Sequence, residues 1–368
     1  MPQNSPHPLP PLARTAHAAH ATRCLSGLPG SQTDIDASRV ALVFYCLGSL
    51  DLLGLLDSKV PELDRQEWTE WLWEQQTRGP FGTGFKPGSF MTSRPDQEGS
   101  ADESNYNCPH IIMTYTAMLS LAILRDDFSR LDRRGITSFL RSCQKDDGSF
   151  STTPQSTDSD LRTVYCAFAI SSMLNDWSGM DVGRAIAFID SCRTYEGGYG
   201  QSPFCEAQGG TTYTAIASLY LAPQGNSNGE HLTAAQREQT IRWLVSNQQT
   251  SGGFRGRTAK EADACYCFWC GGALQILGEP DLVNRTSLAN FMARCQFKYG
   301  GISKAPGENP DPYHTYLSLA ALSMYPPAND AGSNPSWQFE RLDPLLNARE
   351  TTVRWIKEHI PSNPQVSQ

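Results

Sequence analysis

Four apolar stretches of helical length recur along the second half of the chain, at 162–174, 211–221, 265–277 and 314–324. Each carries Ala and Ser where neighbouring backbones must approach closely, the composition of buried helices. Each follows a polar loop, and each loop follows a glycine-rich turn, most of them introduced by Gln or Asn. The turns read Cys143-Gln144…Asp147-Gly148-Ser149-Phe150, Cys192…Glu196-Gly197-Gly198-Tyr199, Asn247-Gln248…Gly252-Gly253-Phe254 and Cys295-Gln296…Gly300-Gly301-Ile302. Amphipathic segments such as 185–191 and 236–245 precede the turns and predict outer helices. From Gly148 to Gly198 is 50 residues, then 55 to Gly253 and 48 to Gly301, a period that marks a repeat architecture. Weaker copies near 75–81 and around 111–124 bring the count to about six. One buried and one amphipathic helix per repeat, closing on themselves, predict an all-α fold: an α/α barrel of about six helix pairs.

Length and charge narrow the picture further. At 368 residues the chain can bury a large core as one domain, expected over 32–368. Residues 1–31 are rich in Pro, Ala and His, contain no acidic residue, and are expected to be mostly disordered. A second loop is expected at 326–335. The net charge of −8 argues against a nucleic-acid surface, and no apolar run reaches membrane-spanning length. Eleven cysteines without a signal peptide read as reduced thiols of a cytoplasmic protein, with Cys46, Cys143, Cys166, Cys192 and Cys295 in apolar context. Cys267 and Cys270 make a CxxC, but beside Phe268 and Trp269 in an apolar helix this spacing reads as packing.

The candidate chemistry is concentrated in residues 252–269. Arg257 and Lys260 lie three apart, so on a turn or helix start they project to one side and can cradle a polyanion. Asp263 and Cys265 follow, a hard and a soft donor in the mixed set that zinc accepts. A surface charge cluster followed by a core cysteine accounts for the same residues equally well. The repeat favours the metal. Asp263 and Cys265 lie 10 and 12 residues after Gly253, and His314 lies 13 after Gly301. All three therefore fall at the starts of successive inner helices, which a closed barrel places side by side. Three protein ligands leave a fourth position open, the pattern of a catalytic zinc.

The chain resembles the β subunits of protein prenyltransferases, most closely the type I geranylgeranyltransferase β subunit, from about residue 35 to the end. The resemblance rests on Ser38-Arg39, His110-Ile111-Ile112-Met113-Thr114-Tyr115-Thr116, Asp127…Ser129-Arg130, Asp160-Leu161-Arg162…Val164-Tyr165-Cys166 and Asn175-Asp176-Trp177-Ser178-Gly179-Met180-Asp181. Gly209-Gly210, Gly253-Phe254-Arg255-Gly256-Arg257, Asp263…Cys265-Tyr266…Phe268-Trp269 and Asp311…His314-Thr315 complete it. Residues 13–28 resemble a divergent first helix, since Arg23-Cys24-Leu25…Leu28-Pro29 has a counterpart there. The family fold is an α–α barrel wrapped by a separate α subunit.

The resemblance implies a heterodimeric enzyme that transfers the 20-carbon chain of geranylgeranyl diphosphate to the cysteine of a C-terminal Cys-aliphatic-aliphatic-X motif, usually with Leu at X. Acceptors of this kind include Rho-type small GTPases. It makes Asp263, Cys265 and His314 the ligands of one zinc per β subunit. Gln208, Arg257, Lys260, Tyr266 and Lys304 become the diphosphate site, completed by a lysine of the α subunit. Ala41, Tyr115, Arg162, Gly210 and Trp269 become the isoprenoid site, and His110, Met113, Thr163 and Tyr313 the pocket for X. Ala41 stands where farnesyltransferase has a tunnel-flooring Trp, which leaves room for the fourth isoprene unit. Lys304, ten residues before His314, stands where farnesyltransferases carry a Mg²⁺-binding Asp, so no Mg²⁺ requirement is expected. Two departures stand out: Gln208 replaces the usual His beside the diphosphate, and Tyr313 with the small Thr163 alters the X pocket. Farnesyltransferase and Rab-type β subunits are the alternatives within the family. Outside it stand a non-catalytic helical-repeat scaffold and a triterpene-cyclase-like barrel. The cyclase needs an Asp-x-Asp-Asp donor that neither Asp34…Asp36 nor Asp158…Asp160 supplies.

Overall fold

The computed structural model describes residues 9–28, 30, 37–89, 108–223, 232–327 and 334–360. Among these residues are fourteen α-helices, labelled here in chain order. They are α1 (Arg14–Ser26), α2 (Arg39–Leu52), α3 (Leu56–Lys59), α4 (Glu62–Glu74), α5 (Ile111–Ile123), α6 (Arg133–Cys143) and α7 (Leu161–Leu174). The remainder are α8 (Val182–Ser191), α9 (Gly209–Leu221), α10 (Ala234–Ser246), α11 (Ala264–Ile276), α12 (Arg285–Cys295), α13 (Pro312–Met324) and α14 (Glu350–His359). Six of them form a closed inner ring, in which α2 packs on α5, then α7, α9, α11 and α13, and α13 returns to α2. The apolar segments expected at 162–174, 211–221, 265–277 and 314–324 are α7, α9, α11 and α13. The amphipathic ones are α8 and α10, in the outer layer. Their apolar faces cover the ring, and Ile189, Ile241 and Leu244 are buried there. The barrel is therefore all-α, with three two-stranded ribbons among the described residues: β1–β2 (Gln76–Gly79 with Gly82–Phe85), β3–β4 (Phe254–Arg255 with Ala262–Asp263) and β5–β6 (Leu342–Asp343 with Ala348–Arg349). No helix of the described residues is long and apolar enough to cross a membrane.

The glycine turns explain how the outer layer closes. Each forms the same bridge: Gln144 to Phe150, Arg193 to Tyr199, Gln248 to Phe254 and Gln296 to Ile302. Gly252 sits at φ +94°, and a Cβ there would lie 1.9 Å from the carbonyl oxygen of Ser287 on the next outer helix. Gly300, at φ +95°, stands in the same relation to the carbonyl of Ala16, also at 1.9 Å. Only glycine supplies both the backbone conformation and the clearance. The second contact carries a correction. Ala16 lies on α1, so this helix is the sixth outer helix and receives the last turn of the repeat. The disorder expected for 1–31 does not hold over 9–28: His17, Ala18 and Ala21 are buried. His17 Nδ1 accepts from the backbone N–H of Gly301 at 2.9 Å, and its Nε2 lies 3.0 Å from Gln296 Oε1. The Pro/Ala/His composition hides this because the partners are nearly 300 residues away. Residues 1–8, 29 and 31 of that segment, Asp34 and Asp36, and 328–333 of the expected second loop lie outside the described residues.

Inside the ring, an aromatic side chain recurs at the fifth residue of five inner helices: Tyr115, Tyr165, Tyr213, Phe268 and Tyr316. Four of these are tyrosines that grip consecutive carbonyls of the β5–β6 turn. Tyr213 donates to Pro344 (2.8 Å), Tyr165 to Leu345 (2.9 Å), Tyr115 to Leu346 (2.9 Å) and Tyr316 to Asn347 (2.5 Å). Buried phenols need partners, and each such bond contributes about 1 kcal/mol. The turn thus fills part of the bore.

Candidate active site

Four of the six inner helices start on one device, a polar N-cap that accepts from the first free amides. Asp160 caps α7, Asp263 caps α11 and Asp311 caps α13, while His110 caps α5 through Nδ1, which accepts from Ile112 N–H at 3.2 Å. At α11 and α13 the caps become a donor cluster. Asp263, Cys265 and His314 bring a carboxylate oxygen, a sulfur and an imidazole nitrogen within 4.8 Å of one another. His314 Nε2 lies 3.4 Å from Asp263 Oδ1, and those side chains are only 15 % and 13 % exposed. Cys265 is buried, and its N–H donates to Asp263 Oδ1 at 2.9 Å.

The donor set fits zinc in type, number and spacing. Its electrostatics point the same way. Burial works against protonating His314, but hydrogen bonds to Asp263 and Asp311 outweigh this and raise it to about 9. Burial also works to raise the Asp263 carboxyl, yet its bonds with His314 and Cys265 hold it below the usual range. Burial, and then the charge of Asp263, push the Cys265 thiol well up. Without a metal, a proton on His314 offsets part of the charge of Asp263 and Asp311; a divalent cation would take that proton's place and favour the thiolate. Asp311 accepts from His314 N–H (2.8 Å) and pairs with Nδ1 (2.6 Å), which leaves Nε2 turned toward Asp263. This is the outer partner that metal-binding histidines usually have. The signature Asp311…His314-Thr315 contains it, but the spacing alone did not assign it a task.

The residues expected around a diphosphate gather beside this cluster. Gly209 N–H donates to the Gly256 carbonyl at 2.7 Å, joining the start of α9 to the loop that carries Arg257. The ring of Tyr266 lies against both glycines. A Cβ on Gly256 would sit 2.1 Å from its Cζ, and one on Gly209 would sit 3.0 Å from its Cδ1. Gln208 is the N-terminal neighbour of this pair and makes no capping bond. Arg257 and Lys260 are exposed, and Lys260 N–H closes the turn onto the Arg257 carbonyl at 3.3 Å. Arg257 Nη1 is also 3.3 Å from Glu206 Oε2, an acidic neighbour not anticipated from the sequence because it lies 51 residues away. The Lys304 carbonyl accepts from Ala264 N–H at 2.8 Å, so its backbone abuts the metal cluster while its side chain is exposed.

The expected isoprenoid and peptide residues divide more finely. Tyr115 is buried in the aromatic belt. Trp269 packs 5.1 Å from the ring of Tyr213 and about van der Waals distance from Gly210, where a Cβ would meet it at 3.9 Å. Ala41 is buried on α2, one turn from Phe44, whose ring meets Tyr316 at 5.0 Å. Arg162 is held by Asp160 through Nε (3.0 Å) and Nη2 (2.6 Å), and Gln201 donates to the same carboxylate at 2.7 Å. Its side chain stays 62 % exposed, so the guanidinium is aimed and still open to solvent. Tyr313 accepts from Trp269 Nε1 at 3.1 Å and hydrogen-bonds the Cys265 thiol, which puts it between metal cluster and aromatic wall. Met113 is buried near the start of α5. The Thr163 hydroxyl is committed locally: it closes the α7 capping box and faces the Phe150 carbonyl at 2.6 Å. Cys267 and Cys270 are buried, as packing requires.

The chain is similar to proteins of known name. A geranylgeranyl transferase type-1 subunit beta from Dictyostelium discoideum is 36 % identical over 340 residues, covering 88 % of this chain and 92 % of that one. The Arabidopsis thaliana subunit of the same name is 33 % identical over 306 residues, 81 % of this chain and 80 % of that one. The fold is also that of Candida albicans protein geranylgeranyltransferase-I complexed with GGPP, with a TM-score of 0.81 at 24 % identity, covering 96 % of this chain and 100 % of that one. Residues 12–348 match the prenyltransferase alpha-alpha toroid domain. A closed ring of six helix pairs, a donor cluster on its rim and these relatives agree: the chain belongs to the prenyltransferase α–α toroid family.

Proposed function

We propose that this chain is the catalytic β subunit of a type I protein geranylgeranyltransferase, acting in the cytoplasm with a separate α subunit on proteins with a C-terminal Cys-aliphatic-aliphatic-Leu motif. The observation that carries the reading is the gathering of Asp263, Cys265 and His314 at the starts of two neighbouring inner helices of an aromatic-lined barrel. Zinc held by these three side chains would supply an open position at which a substrate thiol loses its proton near neutral pH. The acceptor sulfur then bonds to carbon 1 of the isoprenoid as the carbon–oxygen bond to diphosphate breaks. The charge that grows on the departing diphosphate falls among Arg257, Lys260, the Tyr266 hydroxyl and the Gln208 amide. Lys304 supplies an ammonium where Mg²⁺ would otherwise be needed. Gln208 donates a hydrogen bond but no charge, so these cations carry more of the load. Tyr115, Gly210, Trp269 and the aimed guanidinium of Arg162 line the isoprenoid path, and Ala41 leaves its end open for a fourth isoprene unit. His110, Met113, Thr163 and Tyr313 would surround residue X, with Thr163 contributing its methyl group.

Co-expression with an α subunit tests this, with geranylgeranyl and farnesyl diphosphate each offered to peptides ending in Leu or Ser. The reading requires geranylgeranyl transfer to the Leu peptide to dominate. Farnesyl transfer to the Ser peptide would make the chain a farnesyltransferase subunit. No transfer from either donor, on a chain free of zinc, would leave a scaffold.

A further inference from the structure

Away from the metal, a second group of nucleophilic side chains has no part in the transfer reaction. His20 and Cys24 lie four apart on α1 and so share a face. His20 Nε2 is 3.8 Å from Cys24 Sγ. Across the α1–α2 interface the thiol of Cys46 hydrogen-bonds that of Cys24. Cys46 is buried and Cys24 half-buried, so one thiol is reachable and the other waits behind it. The hydrogen bond from Cys46 lowers the Cys24 thiol to about 5 against the effect of burial, and His20 and Arg23 add to the shift. The same bond, reinforced by burial, pushes Cys46 well up. Burial raises other core thiols, such as Cys143 and Cys192, to about 12, which makes them unreactive.

We propose that Cys24 and Cys46 form an oxidisable dithiol, in which Cys24 is the attacking thiolate and Cys46 the resolving thiol, and that hydroperoxides convert it to a disulfide joining α1 to α2. In the first step the Cys24 thiolate attacks the peroxide oxygen. With one proton taken up, this yields a sulfenic acid and an alcohol, or water from hydrogen peroxide. In the second, Cys46 displaces hydroxide from that sulfur, and its proton leaves with it as water. Two thiols lose two electrons, and the peroxide bond takes them. The link would tie down the helix that receives the Gly300–Gly301 turn, the turn that leads to Lys304 and α13.

The full-length chain is labelled with a limiting amount of iodoacetamide near neutral pH and mapped by mass spectrometry. Cys205, which is exposed, serves as the internal reference. Cys24 is expected to react at least tenfold faster than Cys205, and His20→Asn to slow it severalfold. Equimolar hydrogen peroxide should then yield a Cys24–Cys46 cross-linked peptide that dithiothreitol reverses. In Cys46→Ser a sulfenic acid at Cys24 should be trapped by dimedone. The linkage map of the unmodified chain decides the matter even if that variant does not fold. Faster labelling of Cys205, no cross-linked peptide, or oxidation of Cys24 straight to sulfinic acid would overturn the proposal.

Discussion

The starts of α11 and α13 present nearly the same backbone to the same rim, yet their capping aspartates do different things. Asp263 caps α11 and faces the imidazole of the neighbouring helix. Asp311 caps α13 and turns back on its own helix, holding His314 from behind at 2.6 Å. The start of α7 is a third version, with Asp160 fastening Arg162. The cap is common to all three because helix N-termini leave amides unsatisfied. What differs is the residue two or three places along: Arg162, Cys265 or His314. The repeat supplies the position, and a single side chain decides the chemistry.

Breaking the metal side of this comparison should have the largest effect. Cys265→Ala or His314→Ala should lower transfer activity roughly a thousandfold or more, since the metal contributes several kcal/mol to such reactions. Steady-state rates at saturating substrates check this. Asp311→Asn leaves all three donors but loosens the imidazole, so zinc affinity should fall about 10–100-fold, as read by chelator competition. Asp160→Asn is the control: it should disturb Arg162 and leave zinc affinity unchanged.

The inner ring, its period and the three donors were legible in the sequence because each is written locally, as apolar runs and fixed distances from glycine turns. For α1 (Arg14–Ser26) the resemblance over 13–28 pointed to a helix, while composition pointed to disorder and nothing local showed where it docks. Its seat depends on His17 meeting Gly301 and Gln296, contacts that no local pattern carries. The grip of four tyrosines on 344–347 was hidden for the same reason, although their spacing follows the repeat. Cys46 read as an ordinary core thiol because Cys24 comes to it only when α1 docks.

A smaller effect sharpens the role of α1. Burial lowers His17 to about 4, so its neutral form is favoured in the folded chain. The unfolded chain, near 6.5, binds the extra proton first. The stabilising effect is therefore present above about pH 6.5 and is lost as pH falls toward 4, on the order of 3 kcal/mol. Urea midpoints at pH 7.5 and 5 should separate for the native chain and converge for His17→Gln. Smaller still should be the effect of magnesium. The unmodified enzyme should show little activation by Mg²⁺, whereas Lys304→Asp should introduce it in a titration of the transfer rate.

Zinc stoichiometry on purified protein tests the central claim most directly. One zinc per chain is expected in the native protein, and little or none in Cys265→Ala and His314→Ala, with helical content unchanged because the barrel has its own core. A full zinc in both variants would contradict the site.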